Sequence, residues 1–98
     1  MIEIRQTEEV KKWLKGLKDK IAKAKILTRI ERMKEGNYGD VEPIGDGYSE
    51  LKIHQGKGYR VYFATRNNEI ILLLCGGDKA TQQADIKKAK QIAKQWGF

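Results

Sequence analysis

Gly58-Tyr59-Arg60-Val61-Tyr62-Phe63, followed after a short turn by Glu69-Ile70-Ile71-Leu72-Leu73-Leu74-Cys75-Gly76-Gly77-Asp78-Lys79, decides how this chain folds. Residues 70–75 are apolar without interruption, the pattern of a strand covered on both faces. The first run alternates. Tyr59, Val61 and Phe63 share one face and Arg60 and Tyr62 the other, because successive side chains of a strand point to opposite sides. An arginine in mid-strand beside a buried strand is cut off from bulk water. It must either be paired or face a groove where an anion binds.

Outward from this pair the chain reads as an α+β domain. Tyr48 to His54 alternates, with Leu51 and Ile53 on one side and Glu50, Lys52 and His54 on the other. Gln55-Gly56-Lys57-Gly58 reads as a hairpin turn and Asn67-Asn68 as a type I′ turn, so the three strands form an antiparallel meander. Towards the N-terminus, Ile2 to Gln6 is an opening strand. Thr7 then caps a helix with Glu8 and Glu9 in its first turn and Val10, Trp13, Leu14 and Leu17 along one stripe. Asp19 caps a second helix running to about Glu35, with Ile21, Ala22, Ile26, Leu27, Ile30 and Met33 inward and Gly36 ending it. The two helices form a hairpin packed on the sheet. Residues 37–47, with Gly39, Pro43, Gly45 and Gly47, read as a loop. Thr81 caps a last helix with Ile86, Ala89, Ile92, Ala93 and Trp96 inward and Lys87, Lys88, Lys90 and Lys94 outward. The order is strand, two helices, three strands, helix.

The 98 residues predict one domain over 1–98 with one core. No run approaches the roughly 18–20 apolar residues of a membrane span, and the first residues lack an apolar signal region. The single cysteine excludes an internal disulfide, and with one histidine there is no zinc cluster. Cys75, inside the apolar strand, reads as a buried thiol. These features predict a soluble, cytoplasmic protein that needs no membrane partner.

Charge is unevenly spread. Of the net +7, residues 1–36 carry 11 basic and 6 acidic side chains, residues 37–50 carry 4 acidic and none basic, and residues 51–66 carry 4 basic and none acidic. A positive segment on a small domain fits a polyanion such as nucleic acid, or serves solubility alone. The helix lysines Lys11, Lys12, Lys15, Lys23 and Lys25 read either as a solvated face or as a docking surface for an acidic partner or ribosomal RNA.

One constellation carries chemistry. Same-face residues of adjacent antiparallel strands lie about 5 Å apart, so a short hairpin at 55–58 brings Lys52 and His54 beside Arg60 and Tyr62. Lys79, just past the last strand, returns towards the same groove. Phosphodiester cleavage in RNA uses the substrate's own 2′-hydroxyl as nucleophile. The enzyme binds the scissile phosphate, stabilises added charge on its oxygens and moves protons. Arginine and lysine supply the first two. An imidazole, which ordinarily titrates near neutral pH, supplies the third. Two plainer readings stand beside this one: His54 as an exposed or structural hydrogen-bonder, and Arg60 in a salt bridge to Glu50 or Asp78.

Gly-Tyr-Arg-Val-Tyr-Phe at 58–63, Leu-Leu-Leu-Cys-Gly-Gly-Asp-Lys at 72–79 and Thr81-Gln82 resemble the RelE/ParE toxin superfamily. The closest likeness is to its HigB-like, phage-derived branch of addiction module killer proteins. The resemblance covers nearly the whole chain and is most specific from 45 to 89. It implies a compact microbial-RNase-like α+β fold and a type II toxin neutralised by a cognate antitoxin. It also implies a cofactor-free, metal-independent endoribonuclease that cuts mRNA in the ribosomal A site and so inhibits translation. By position, Arg60 matches the strand arginine that contacts the scissile phosphate. Lys52, His54 and Lys79 match basic or histidine positions of the catalytic set. Tyr62, Lys57 and Asp85 are the candidate substrate-binding residues, with Tyr62, or Tyr59 although it should face the core, replacing the family's missing aromatic. The stacking tyrosine that RelE carries near its C-terminal end is missing, since the matching region reads Gln83-Ala84-Asp85. Asp85 is there either a proton acceptor or a first-turn helix acid. ParE members share the fold but poison DNA gyrase without catalysis, which leaves that class as the alternative. A toxin decayed to inactivity is a third.

Overall fold

The apolar run is built into the sheet between two partners. In the computed structural model, which describes residues 1–98, strand β5 (Ile70–Gly77) pairs in parallel with β1 (Glu3–Gln6) and antiparallel with β4 (Tyr59–Arg66). Strand β3 (Tyr48–Ile53) pairs with β4, and β2 (Val41–Gly45) pairs with β3, giving the order β1-β5-β4-β3-β2. Helices α1 (Glu8–Lys15) and α2 (Lys20–Lys34) cover one face, and α3 (Gln82–Gln95) covers the other. This is the α+β architecture the sequence predicts.

Alternation in β4 decides which residue meets which layer. Tyr59, Val61 and Phe63 pack with Val10, Leu14, Ile26, Met33 and Leu73 under the two N-terminal helices. Tyr62 and Ala64 pack with Leu72, Leu74, Cys75, Ala89 and Ala93 under α3. A β-bulge shifts the register between Tyr62 and Phe63, so Leu73 opposes Phe63 and Cys75 opposes Tyr62. Leu74 and Cys75 are consecutive yet both pack beneath α3. Burial pushes the Cys75 thiol up to about 12, which keeps it in its unreactive form.

The local punctuation works as its chemistry dictates. Thr7 accepts from the Val10 amide at 3.1 Å and donates to the Leu74 carbonyl at 2.6 Å, so one buried hydroxyl caps α1 and ties it to β5. Asp19 accepts from the Ala22 amide at 3.0 Å. After α2, Gly36 has φ +82°, and the amides of Gly36 and Asn37 bond to the carbonyls of Met33 and Arg32. That pair of bonds is a Schellman stop. Asn67 and Asn68 both have positive φ, as a type I′ turn requires.

Several expectations need correction. Residues 37–47 are not all loop, because Val41–Gly45 forms edge strand β2, opposed to β3 by Val41↔Leu51 and Glu42↔Glu50. Pro43 is tolerated because the strand is an edge, and a register shift follows it. Asp46 and Gly47, both at positive φ, close this extra hairpin. Thr81 makes no side-chain cap for α3. The chain instead enters α3 through a 3₁₀ turn, Lys79–Thr81, capped by Asp78 through the amides of Ala80 and Thr81 at 2.9 and 3.3 Å. Ile21, Leu27 and Trp96 face outward, at 61, 45 and 46 % exposure. Helix α2 turns only Ala22, Ile26, Ile30 and Met33 fully inward. The place expected for Trp96 is taken by Phe98, which packs on the α3-side core and carries the Arg66 guanidinium 4.0 Å above its ring.

The two glycines ending β5 are docking points. A Cβ at Gly76 would overlap the Trp13 indole, and one at Gly77 would overlap the Asp85 carboxylate. Gly76 thus admits α1 on one face and Gly77 admits α3 on the other. Gly76→Ala is expected to destabilise the protein by about 1–3 kcal/mol through overpacking against the half-buried Trp13 indole. Urea denaturation checks this, and an unchanged midpoint would show that Trp13 has room to shift.

Candidate functional site

In the β3–β4 register Lys52 stands directly opposite Arg60, and Glu50 opposite Tyr62. The β4–β5 register places Gly77 opposite Arg60 on its other side. Two polar rows therefore cross the α3 face of the sheet. Helix α3 roofs the row of Glu50, Tyr62 and Cys75, whereas the row of Lys52 and Arg60 runs out from under the helix into an open cavity of about 510 Å³. That cavity is lined by Lys52, His54, Gln55, Gly56, Lys57, Gly58, Arg60 and Lys79, none of them hydrophobic. The 55–58 turn forms one wall, and the bond from the Lys79 amide to the Lys57 carbonyl, 3.4 Å long, ties the 3₁₀ turn after β5 to it.

Arg60 meets both conditions set by its place in the strand. Its side chain keeps 11 % exposure. Nη1 donates to the Gly58 carbonyl at 2.5 Å, and Nε lies 3.9 Å from a Glu50 carboxylate oxygen. The guanidinium is thus held from behind while still lining the cavity. The Lys52 ammonium is bonded to Glu42 at 2.8 Å, which raises its hold on the proton. The His54 Nε2 is bonded to the Asp40 carboxylate, and that bond keeps Asp40 below the usual carboxylate range. His54 is otherwise exposed. The Lys57 and Lys79 side chains stand exposed at the rim.

Of the residues singled out from the sequence, Arg60, Lys52, His54, Lys57 and Lys79 come together here. Tyr62 and Asp85 do not. Tyr62 has no exposure, and burial, then the charges of Glu50 and Asp85, raise its pKa far above the ordinary phenol value. It belongs to the core beneath α3 and offers no surface to a ligand. Asp85 lies over Gly77 and accepts from the Thr81 hydroxyl at 2.5 Å, holding the first turn of α3 rather than lining the cavity.

Four residues of the site escaped sequence reading. Asp40 and Glu42 are the acidic partners of His54 and Lys52. Arg29 donates to the backbone carbonyls of Lys52, Tyr38 and Asp40 at 2.8, 3.0 and 3.1 Å, and burial lowers its pKa. Gln82 donates to both oxygens of Glu50 at 3.1 and 3.0 Å. The signal for the first two was the wholly acidic segment 37–50 running into the wholly basic 51–66, since oppositely charged neighbouring segments pair well across a hairpin.

What the arrangement can do follows from its charges. Lys57, Lys79 and Arg60 present cationic donors to a cavity lined by no hydrophobic residue, while Lys52 and His54 carry compensating carboxylates at its edge. Such a site suits a phosphate-bearing ligand.

Comparison with known proteins agrees with the fold. The family described as "Phage derived protein Gp49-like" matches residues 12–96. An uncharacterized protein of Haemophilus influenzae is 49 % identical over 97 residues, covering 99 % of this chain and 98 % of the relative. A mutant of the Escherichia coli toxin RelE, solved in its free state, superposes with a TM-score of 0.73 over 92 % of this chain and 95 % of that one. At 12 % identity this likeness speaks for the fold alone. The resemblance read from residues 58–63 and 72–79 therefore holds at the level of family and fold, and this chain is a member of the Gp49-like family of phage-derived proteins, built on the RelE fold.

Proposed function

We propose that this protein is the toxin of a toxin–antitoxin pair and that it cleaves mRNA on the ribosome. The observation that carries the proposal is the register Lys52↔Arg60, which opens onto a cavity also lined by His54, Lys57 and Lys79. Arg60, braced by Gly58 and facing Glu50, binds the scissile phosphate and stabilises the charge that builds on its oxygens. Lys57 and Lys79, free of carboxylates, hold the flanking phosphates. Lys52 stands beside the scissile position with its proton firmly held, and His54, with Nε2 engaged by Asp40, has Nδ1 left for proton transfer. The family and the RelE fold support this reading. The partners are then the ribosome, mRNA and a small antitoxin with an acidic or amphipathic segment complementary to the basic surface, all within the cytoplasm.

Primer extension on cellular mRNA after induction tests the proposal. New 5′ ends are expected in coding sequence at A-site codons, together with a fall in radiolabelled-methionine incorporation. Continued translation with induction of the DNA-damage response would replace the proposal with gyrase inhibition. Unimpaired growth would mean an inactive toxin.

A further inference from the structure

Directly behind the cavity lies a buried polar cluster with unequal pairing. The Glu50 side chain is 3 % exposed, and the Gln82 amide donates to both its oxygens. Two buried atoms beside it have no hydrogen-bond partner, Nε of Arg60 and the hydroxyl of Tyr62. Arg60 Nε points at the same carboxylate, and Tyr62 stands opposite Glu50 in the sheet. Arg60 Nε is 3.9 Å from Glu50 Oε1, Tyr62 is Glu50's cross-strand neighbour, and the Glu50 charge adds to the rise in the Tyr62 pKa. A buried carboxylate and two buried unpaired donors within one layer are costly unless they act together. The carboxylate balances the guanidinium, and the guanidinium's remaining exposure lies in the cavity it lines.

We infer that Glu50, held by Gln82 from the first turn of α3, is a positioning residue that anchors the buried Nε edge of Arg60 so that the rest of the guanidinium faces the phosphate. The inference rests on the proposed nuclease reading. It makes a prediction opposite to that of simple electrostatics. A negative charge beside Arg60 weakens the pocket's field, so if Glu50 acted only through its charge, Glu50→Gln would tighten RNA binding and leave turnover intact. An anchor does something else. Without it only the Nη1 bond to the Gly58 carbonyl restrains the guanidinium, which is then free to swing about that contact, and misplacement of a catalytic group by about 1 Å can cost on the order of 100-fold in rate.

The test uses the full chain in two measurements. In cleavage of mRNA on programmed ribosomes, Glu50→Gln is expected to lower kcat about 100-fold while KM for the programmed ribosome stays level or falls. Gln82→Leu, which removes the amide donors without altering charge, is expected to lower kcat about 10-fold. In ¹⁵N-labelled protein without RNA, the Arg60 Nε–H signal is expected to be resolved and slow to exchange in the wild type, and to exchange faster in both variants. Unchanged kcat, a rise in KM alone, or an Arg60 signal indifferent to both substitutions would overturn the inference. If the wild type cuts no RNA, the nuclease reading falls and the Arg60 signal alone decides the anchor. If Glu50→Gln does not fold, Gln82→Leu carries both measurements.

Discussion

Arg60→Ala is expected to abolish growth arrest on induction while the protein still folds, with cleavage on programmed ribosomes reduced by about 10²–10³-fold, as for loss of one charge-stabilising donor. The structure adds a cost that the strand pattern alone did not show. Arg60 sits behind its cavity against Glu50, whose side chain is 3 % exposed. Removing the arginine leaves that carboxylate buried with only the Gln82 amide for company. Breaking a fully buried pair costs about 3–5 kcal/mol, and the 3.9 Å separation and the two Gln82 bonds place this one lower, at about 1–3 kcal/mol. Inactivity through unfolding and inactivity through lost chemistry must therefore be separated, and a double variant does so. Arg60→Ala with Glu50→Gln neutralises the stranded carboxylate, so its urea midpoint should recover most of the loss while toxicity stays absent. Toxicity returning with stability would remove Arg60 from the proposed chemistry, and full toxicity in the single variant would do so at once.

How far the sequence reveals this molecule depends on whether a feature is local. The strand at 70–75, the stripe of Val10 and Leu14, the Gly36 stop and the Asn67-Asn68 turn are each determined within a few residues, and each forms as its residues dictate. The edge strand β2 was missed because its five residues include Pro43 and Gly45, which read as breakers. Only pairing to β3 makes Val41-Glu42 a strand, and the Asp46-Gly47 turn was the one local sign of it. The candidate site divides in the same way. Alternation correctly put Glu50, Lys52, Arg60 and Tyr62 on one face. Alternation cannot say where a distant helix lands on that face. Helix α3 covers Glu50 and Tyr62 and stops short of Lys52 and Arg60, so one half of an apparently uniform polar face is core and the other half is cavity. Tyr62 was misread for that reason. The strand pattern leaves Arg60 two alternatives, a carboxylate or a groove. It takes both, because it stands at the border of the helix's footprint.

Arg29→Ala is expected to produce the largest loss of stability among substitutions of charged side chains. Arg29 lies in α2, on the opposite face of the sheet from α3, and its guanidinium serves three backbone carbonyls at once. The one on Lys52 belongs to β3, and those on Tyr38 and Asp40 belong to the segment entering β2. Gly39, at φ +71°, lets the backbone pass beneath it, since a Cβ there would lie 3.0 Å from Nη2. The Asp40 carbonyl also accepts from the Lys52 amide at 3.0 Å, so both strands are registered at this point. A hydrogen bond from a charged donor is worth about 1.5–3 kcal/mol, and water replaces part of the loss where the site is open, which gives an expected destabilisation of about 2–4 kcal/mol. The cavity should suffer too, because Asp40 and Glu42, the partners of His54 and Lys52, hang from the segment that Arg29 holds. Arg29→Lys separates geometry from charge. It restores the positive charge, but one ammonium cannot span three carbonyls in the plane of a guanidinium, so less than half of the stability should return. Urea denaturation supplies the free energies, and hydrogen exchange at the Lys52 amide reports the clamp directly, with faster exchange expected in both variants. A loss below about 0.5 kcal/mol, the range of an ordinary surface substitution, with unchanged exchange at Lys52, would show that the β2–β3 pairing holds this segment without Arg29.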